Sequence, residues 1–280
     1  MAFTTLIDSA TLAPLLAEPA FVIVDCRAKL DDRAWGEGEY LAAHVPGAVF
    51  ASLDRDLTGQ PTGTNGRHPL PAAATLARTL GELGIGPGTQ VVAYDQDTGA
   101  FASRLWWLLR WMGHDAVAVL DGGFASWVAE GRDTVSGPPS RARRSFSGTP
   151  RSAMIADASE IAALAERKEG RLLDVRAPER YRGAVEPIDR AAGHIPGATN
   201  YFFKWSLDEG GAFRPRQSLR TQLDEALGGV EPADVVCYCG SGVTACHTLL
   251  ALEHAGLSGA RLYPGSWSEW SSDPARPVGK

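Results

Sequence analysis

Four landmarks occur twice in this chain, in the same order and at nearly one spacing. An apolar strand pattern ending in Asp-x-Arg appears as Val22-Ile23-Val24-Asp25-Cys26-Arg27 and again as Leu172-Leu173-Asp174-Val175-Arg176. His44-Val45-Pro46-Gly47-Ala48 returns as His194-Ile195-Pro196-Gly197-Ala198, Val91–Asp95 returns as Val235–Cys239, and Gly122–Trp127 returns as Gly265–Trp270. The separations are 149 residues from Asp25 to Asp174, 150 from His44 to His194, 144 from Asp95 to Cys239 and 143 from Trp127 to Trp270. Four ordered landmarks at nearly one period argue for a duplicated unit. Short apolar strands alternate with helical patterns in each copy. That alternation predicts an α/β fold of two tandem domains, each a mainly parallel sheet with helices on both faces. The 280 residues are enough for two full cores.

The expected boundaries are an N-terminal domain over 1–132, a linker over 133–150 and a C-terminal domain over 151–280. Between Gly131 and Thr149 the chain is rich in Pro, Ser, Gly and Arg and loses its apolar period. Its basic run, Arg141-Ala142-Arg143-Arg144, reads as a solvated linker. Asp8 or Ser9 is expected to cap a first helix through Leu16, with Pro14 in its first turn. A second helix is expected over Gly99–Trp111.

Composition excludes several classes. Hydrophobic residues make up 44% and charged residues 21%, as in a globular protein in water. A net charge of −6 argues against a nucleic-acid partner, and no apolar run is long enough for a membrane span. The stretch Met1–Asp8 lacks the basic region and long apolar segment of a secretory signal. Four cysteines in a chain of this length do not make a disulfide framework. Reduced thiols and a cytoplasmic setting are therefore expected. The six histidines are scattered, without metal-ligand spacing, and nothing in the chain calls for a cofactor.

The stretch that carries chemistry is Val235-Val236-Cys237-Tyr238-Cys239-Gly240-Ser241-Gly242-Val243-Thr244-Ala245. It begins as a buried strand and ends in a helical pattern that runs to a C-cap at Gly256. The Gly-Ser-Gly turn lets the backbone curl so that several N–H groups converge, and the helix adds the positive end of its dipole. A thiol at the mouth of that turn ionises more easily than a free one, and the thiolate is the nucleophile. Cys239 is thus the candidate nucleophile. Cys237, within the strand, and Cys246, on the apolar helix face, read as packing.

With its strand, the loop Cys239–Ala245 resembles the active-site loop of the rhodanese-type sulfurtransferases. Its Gly-Ser pair looks like the 3-mercaptopyruvate sulfurtransferase branch; the thiosulfate branch typically carries Arg-Lys there. The duplicated pattern agrees with the tandem members of that family. The residue matching Cys239 in the first half is Asp95, which cannot carry transferable sulfur. One active site, in the C-terminal half, is therefore expected.

The excursion from Asp54 to His68 is rich in Gly, Thr, Asn and Pro and has no apolar period. Long loops of this kind are often functional. The resemblance implies that an Asp and a His from this region join the loop Ser at the cysteine. By position these are Asp54, His68 and Ser241, with Asp56 a rival to Asp54. The donor's carboxylate calls for arginine. Arg180 matches the family's substrate arginine, while Arg190 stands near the place of the second. Each arginine between 180 and 190 has an alternative in ion pairing with Glu179, Glu186 or Asp189. His44 and His194, and Arg27 and Arg176, sit in matching motifs in both halves and read as structural.

The resemblance implies a sulfurtransferase acting by covalent catalysis. Cys239 takes sulfur from 3-mercaptopyruvate as a persulfide and releases pyruvate. The sulfur then passes to an acceptor: a small thiol, a thioredoxin-like protein or cyanide. The N–H groups of residues 240 to 244, Gly240, Ser241, Gly242, Val243 and Thr244, are expected to cradle the sulfur. Thiosulfate as donor is the alternative, and a non-catalytic binding module is a second. Rhodanese-like phosphatases place Arg six residues after the cysteine to hold phosphoryl oxygens; here that residue is Ala245, which argues against phosphatase chemistry.

Overall fold

The computed structural model describes residues 2–138, 141–167 and 170–280. They fall into two compact units. The first comprises residues up to 59, 71–151 and 209–212; the second comprises 60–70, 152–208 and 213–280.

The first unit is built on a five-stranded sheet. Its strands are β1 (Leu6–Ile7), β2 (Phe21–Asp25), β3 (Val49–Phe50), β4 (Gln90–Tyr94) and β5 (Val117–Leu120), in the order β1-β5-β4-β2-β3 with every pairing parallel. Its helices are α1 (Ser9–Leu12), α2 (Trp35–Ala42), α3 (Ala73–Glu82), α4 (Ala102–Trp111) and α5 (Gly123–Ala129). β4 is buried along its whole length, as expected of an inner parallel strand in which Val, Ala and Tyr follow Gln90. The core gathers Ile23, Val92, Tyr94, Ala118, Leu120 and Trp127.

The second unit carries α6 (Ala158–Arg167), β6 (Arg171–Asp174), α7 (Pro178–Tyr181), β7 (Thr199–Asn200), α8 (Arg216–Leu227), β8 (Val235–Tyr238), α9 (Thr244–Ala255), β9 (Arg261–Leu262) and α10 (Ser266–Trp270). The sheet order is β7-β6-β8-β9, again parallel throughout. β8 is an inner strand, so Val235–Tyr238 is fully buried and the chain leaves the sheet at its carboxyl edge. Open parallel sheets bind ligands outside that edge. α9 ends at Gly256, whose φ of 80° permits the left-handed cap.

The duplication holds to the level of single hydrogen bonds. Arg27 pairs with Asp25 at 2.7 Å and donates to the Ala43 carbonyl at 2.6 Å; Arg176 pairs with Asp174 at 2.6 Å and donates to the Gly193 carbonyl at 2.7 Å. All four of these side chains are buried. Each guanidinium also lies over an aromatic ring, Phe124 in the first unit and Trp267 in the second. His44 stacks on Tyr40, and His194 on Tyr181. Those tyrosines donate to the Ala48 and Ala198 carbonyls at 2.8 and 2.7 Å. The Asp-x-Arg and His-x-Pro-Gly-Ala motifs are therefore structural staples that tie the end of β2 to the turn before β3, and the end of β6 to the turn before β7.

Some local expectations are corrected. The first helix stops at Leu12 and continues as a 3-10 turn over Ala13–Leu15, because Pro14 supplies no N–H to an α-helix. α4 opens at Ala102, not Gly99, because Gly99 has a φ of 75°. The basic run read as a solvated linker belongs to the first unit and is partly tied down on it: Arg141 donates to the Phe21 carbonyl at 2.6 Å, and the Arg144 N–H to the Gly81 carbonyl at 2.9 Å. Pro139 and Ser140 of the expected linker lie outside the described residues.

Removing one partner of a buried pair strands the other charge. Arg27→Met is therefore expected to cost about 3–5 kcal/mol of stability, read from the midpoint of urea unfolding, with the matched change Arg176→Met giving a loss of similar size.

Candidate active site

Cys239 follows β8 directly, and α9 begins five residues later. Its side chain is only 2% exposed, but its surroundings are polar. The Gly242 N–H donates to Sγ at 3.1 Å. Burial pushes the thiol pKa up. The Thr244 hydroxyl and the N–H groups of Ser241, Ala245 and Gly242 outweigh it, leaving the pKa below the ordinary thiol value. By contrast, Cys237 has burial against it and its pKa is raised. Of the N–H groups expected to cradle the sulfur, those of Ser241 and Gly242 act on the thiol, while those of Gly240 and Val243 are not among its donors. Ala245 joins them, and Thr244 acts through its hydroxyl.

Two glycines around the loop have steric reasons to be glycine, and a third marks what covers it. Gly242 has a φ of 78°, and a Cβ there would meet the Pro264 carbonyl oxygen at 2.3 Å. Gly66 has a φ of 86°, and a Cβ would meet the Gly265 carbonyl oxygen at 2.8 Å. A Cβ on Gly240 would stand 2.9 Å from Arg67 Nη2 and 3.5 Å from Arg180 Nη1. The loop is braced from the start of α10. Ser266 Oγ accepts from the Cys239 N–H at 3.2 Å, the Trp267 N–H donates to the Cys239 carbonyl at 3.0 Å, and the Ser268 N–H donates to the Gly240 carbonyl at 2.9 Å. Ser266 holds a φ of 53°, which is unusual for a residue with a side chain. Its counterpart, Gly123, has a φ of 60°. The aligned pairs Gly122-Gly123 and Gly265-Ser266 were the signal in the sequence that could have singled out Ser266.

The first unit keeps the same braces. The Phe124 N–H donates to the Asp95 carbonyl at 2.9 Å and the Ala125 N–H to the Gln96 carbonyl at 2.8 Å. There the converging N–H groups close on a carboxylate: Asp95 accepts from Asp97, Gly99, Phe101 and Ala102 at 2.7–3.2 Å. The anion cradle survives in that unit, and its own side chain fills it.

Of the residues expected from the excursion, His68 lies in the second unit. Its Nδ1 is 2.7 Å from Ser241 Oγ, with both side chains buried. Asp54 lies in the first unit, 3.6 Å from Arg33. Asp56, also there, accepts from the Ser52 N–H at 2.8 Å and pairs with Arg55 at 3.2 Å. Arg180 pairs with Glu186 at 2.7 Å and with Asp189 at 3.0 Å. Glu186 also meets Arg176 at 3.3 Å. Arg190 is exposed. The guanidinium that stands with Arg180 belongs to Arg67, which pairs with Asp189 and whose N–H donates to Ser268 Oγ at 3.1 Å. Arg67 was not legible as a site residue. It sits in a glycine-rich excursion far along the chain from Cys239, and only the neighbouring His68 drew notice.

Comparison with known proteins identifies the family. The rhodanese-like domain family matches residues 9–130 and again residues 157–273. The chain belongs to that family, as a tandem member with two copies of the domain. It is 46% identical, over 99% of both chains, to a probable 3-mercaptopyruvate sulfurtransferase of Pseudomonas aeruginosa. It is also 40% identical, over 98% of this chain and 96% of the other, to a putative thiosulfate sulfurtransferase of Mycobacterium tuberculosis. Among solved structures, 3-mercaptopyruvate sulfurtransferase from Leishmania major superposes with a TM-score of 0.84 at 30% identity, over 96% of this chain and 74% of that one.

Thr244→Val removes a donor to the thiolate. A charge-assisted hydrogen bond is worth about 1.5–3 kcal/mol, so the Cys239 pKa is expected to rise by about one to two units. The pH dependence of iodoacetamide alkylation at Cys239 measures it; an unmoved profile would mean that the hydroxyl does not stabilise the thiolate.

Proposed function

We propose that the protein is a sulfurtransferase that takes sulfur from 3-mercaptopyruvate onto Cys239 and passes it to a thiol or cyanide acceptor. The observation that carries this reading is the Cys239 sulfur held in a buried ring of N–H and O–H donors, where a negative charge is favoured. In the first half-reaction the Cys239 thiolate attacks the donor sulfur. The carbon–sulfur bond breaks, its electrons pass to the carbon as pyruvate enolate, and a proton completes pyruvate. Cys239 is left as a persulfide whose outer sulfur sits over the donors of the loop. In the second half-reaction the acceptor attacks that sulfur, and the Cys239 thiolate returns. No cofactor enters either step.

The Ser241 hydroxyl, 2.7 Å from His68 Nδ1, is suited to hydrogen-bond the donor and to relay a proton to or from it. Asp54 is the carboxylate proposed to support His68, with Asp56 the rival. Arg180 is the proposed partner of the donor carboxylate; Arg190 is the second candidate for that task. A thioredoxin-like protein is among the proposed acceptors, and the cytoplasm is the proposed setting, in keeping with four free cysteines.

The charges near the loop favour 3-mercaptopyruvate over thiosulfate. Arg67, Arg176 and Arg180 stand against Asp174, Glu186 and Asp189, three cations matched by three carboxylates, before the thiolate is counted. Such a cluster accepts a monoanionic carboxylate with less repulsion than a dianion. Relatives carry both names, so the donor is the point to measure. The ratio of kcat/KM for the two donors is expected to favour 3-mercaptopyruvate by at least about tenfold. Pyruvate release should be matched by one added sulfur on Cys239, and Cys239→Ser should abolish both. A ratio below one would reassign the donor, and absence of both products with reduced protein would end the reading.

A further inference from the structure

Two guanidiniums, not one, cover the Gly240 side of the cysteine loop. They come from distant parts of the chain. Arg180 lies on α7; Arg67 arrives with the Gln60–Leu70 segment that packs into the second unit. Both reach one carboxylate: Asp189 pairs through Oδ1 with Arg67 and through Oδ2 with Arg180, the latter at 3.0 Å. The Asp189 side chain is 3% exposed. Burial lowers the Arg67 pKa, and the charge of Cys239 is the strongest of the opposing influences, so guanidinium and thiolate feel each other. A carboxylate shared by two guanidiniums beside the nucleophile is the grip that a carboxylate-bearing donor requires.

We infer that Arg67 and Arg180 together form the donor's carboxylate clamp, and that Asp189 occupies this clamp in the free protein and yields it to the donor. The inference rests on the reading that the donor carries a carboxylate. It places the second arginine of the clamp in the glycine-rich excursion rather than at Arg190. It also gives Asp189 a function: it keeps two cations satisfied when the site is empty, and it admits only an anion that can replace it on both.

Three measurements on the full-length protein test it. Arg67→Met should raise KM for 3-mercaptopyruvate by about tenfold to a hundredfold, the range for one lost charge-assisted hydrogen bond, with a smaller change in kcat. Asp189→Asn removes the competing charge and leaves both arginines in place, so it should lower that KM. The third readout needs no turnover. Iodoacetate, which carries a carboxylate, and neutral iodoacetamide both alkylate Cys239, and the ratio of their rates, set against that of a free thiol, should favour iodoacetate. Arg67→Met should reduce the ratio and Asp189→Asn increase it. An unchanged KM and ratio in Arg67→Met would overturn the clamp, as would a raised KM in Asp189→Asn. If wild-type protein fails to release pyruvate yet shows the iodoacetate preference and its loss in Arg67→Met, the donor assignment falls while the clamp stands.

Discussion

The structure depends on one constraint: a loop leaving the carboxyl edge of an inner parallel strand must turn several N–H groups toward a single point. Those groups are unpaired at the head of any helix. Here the turn at Gly242 bends them onto the Cys239 sulfur, and the start of α10 holds the loop in that shape through Ser266, Trp267 and Ser268. A buried thiol is ordinarily reluctant to ionise. In this loop the amides and the Thr244 hydroxyl more than offset the cost of burial. The lowered pKa of Cys239 is therefore a property of the backbone as much as of the cysteine.

The first unit shows what the same architecture does with a different residue at that point. Asp95 sits at the position of Cys239 and receives four N–H groups within its own loop. Burial raises its pKa while those bonds pull the other way. Both copies thus bring converging donors to an anion, one a fixed carboxylate and the other a sulfur open to chemistry. The staples around them are shared. The buried Asp-Arg pairs and the stacked His-Tyr pairs recur with distances that agree within a few tenths of an ångström. They belong to the fold, and their presence in the unit without the cysteine is what separates them from the candidate catalytic groups.

Around the cysteine, the arginines do not stand as bare cations. Each is already matched to a carboxylate of the second unit. Such matching lowers the cost of burying guanidiniums. On the proposed clamp it also sets the terms on which an anionic donor enters, in exchange for a carboxylate rather than into a bare positive pocket. His68 and Arg67 are adjacent in the chain and serve different neighbours, Ser241 and Asp189. Two consecutive side chains of one excursion thereby bracket the loop.

Local chemistry and repetition were readable without coordinates. The parallel strands, the duplicated Asp-x-Arg and His-x-Pro-Gly-Ala motifs, the cysteine loop and the choice of His68 and Ser241 as neighbours of the cysteine all rest on residue types at set spacings or on the family pattern that those residues matched. The shortened first helix and the late start of α4 were missed because a proline and a single left-handed glycine decide helix ends locally. Arg67, Asp189 and Ser266 could not be read as a site because their roles are relations between segments far apart in the chain. An arginine in a glycine-rich loop looks the same whether it faces water or a thiolate. The amino-acid sequence by itself determined which groups could ionise, turn or pair. Only the tertiary structure decided which of them share one small volume, because a charge acts on what lies within a few ångströms of it, whatever the number of residues between.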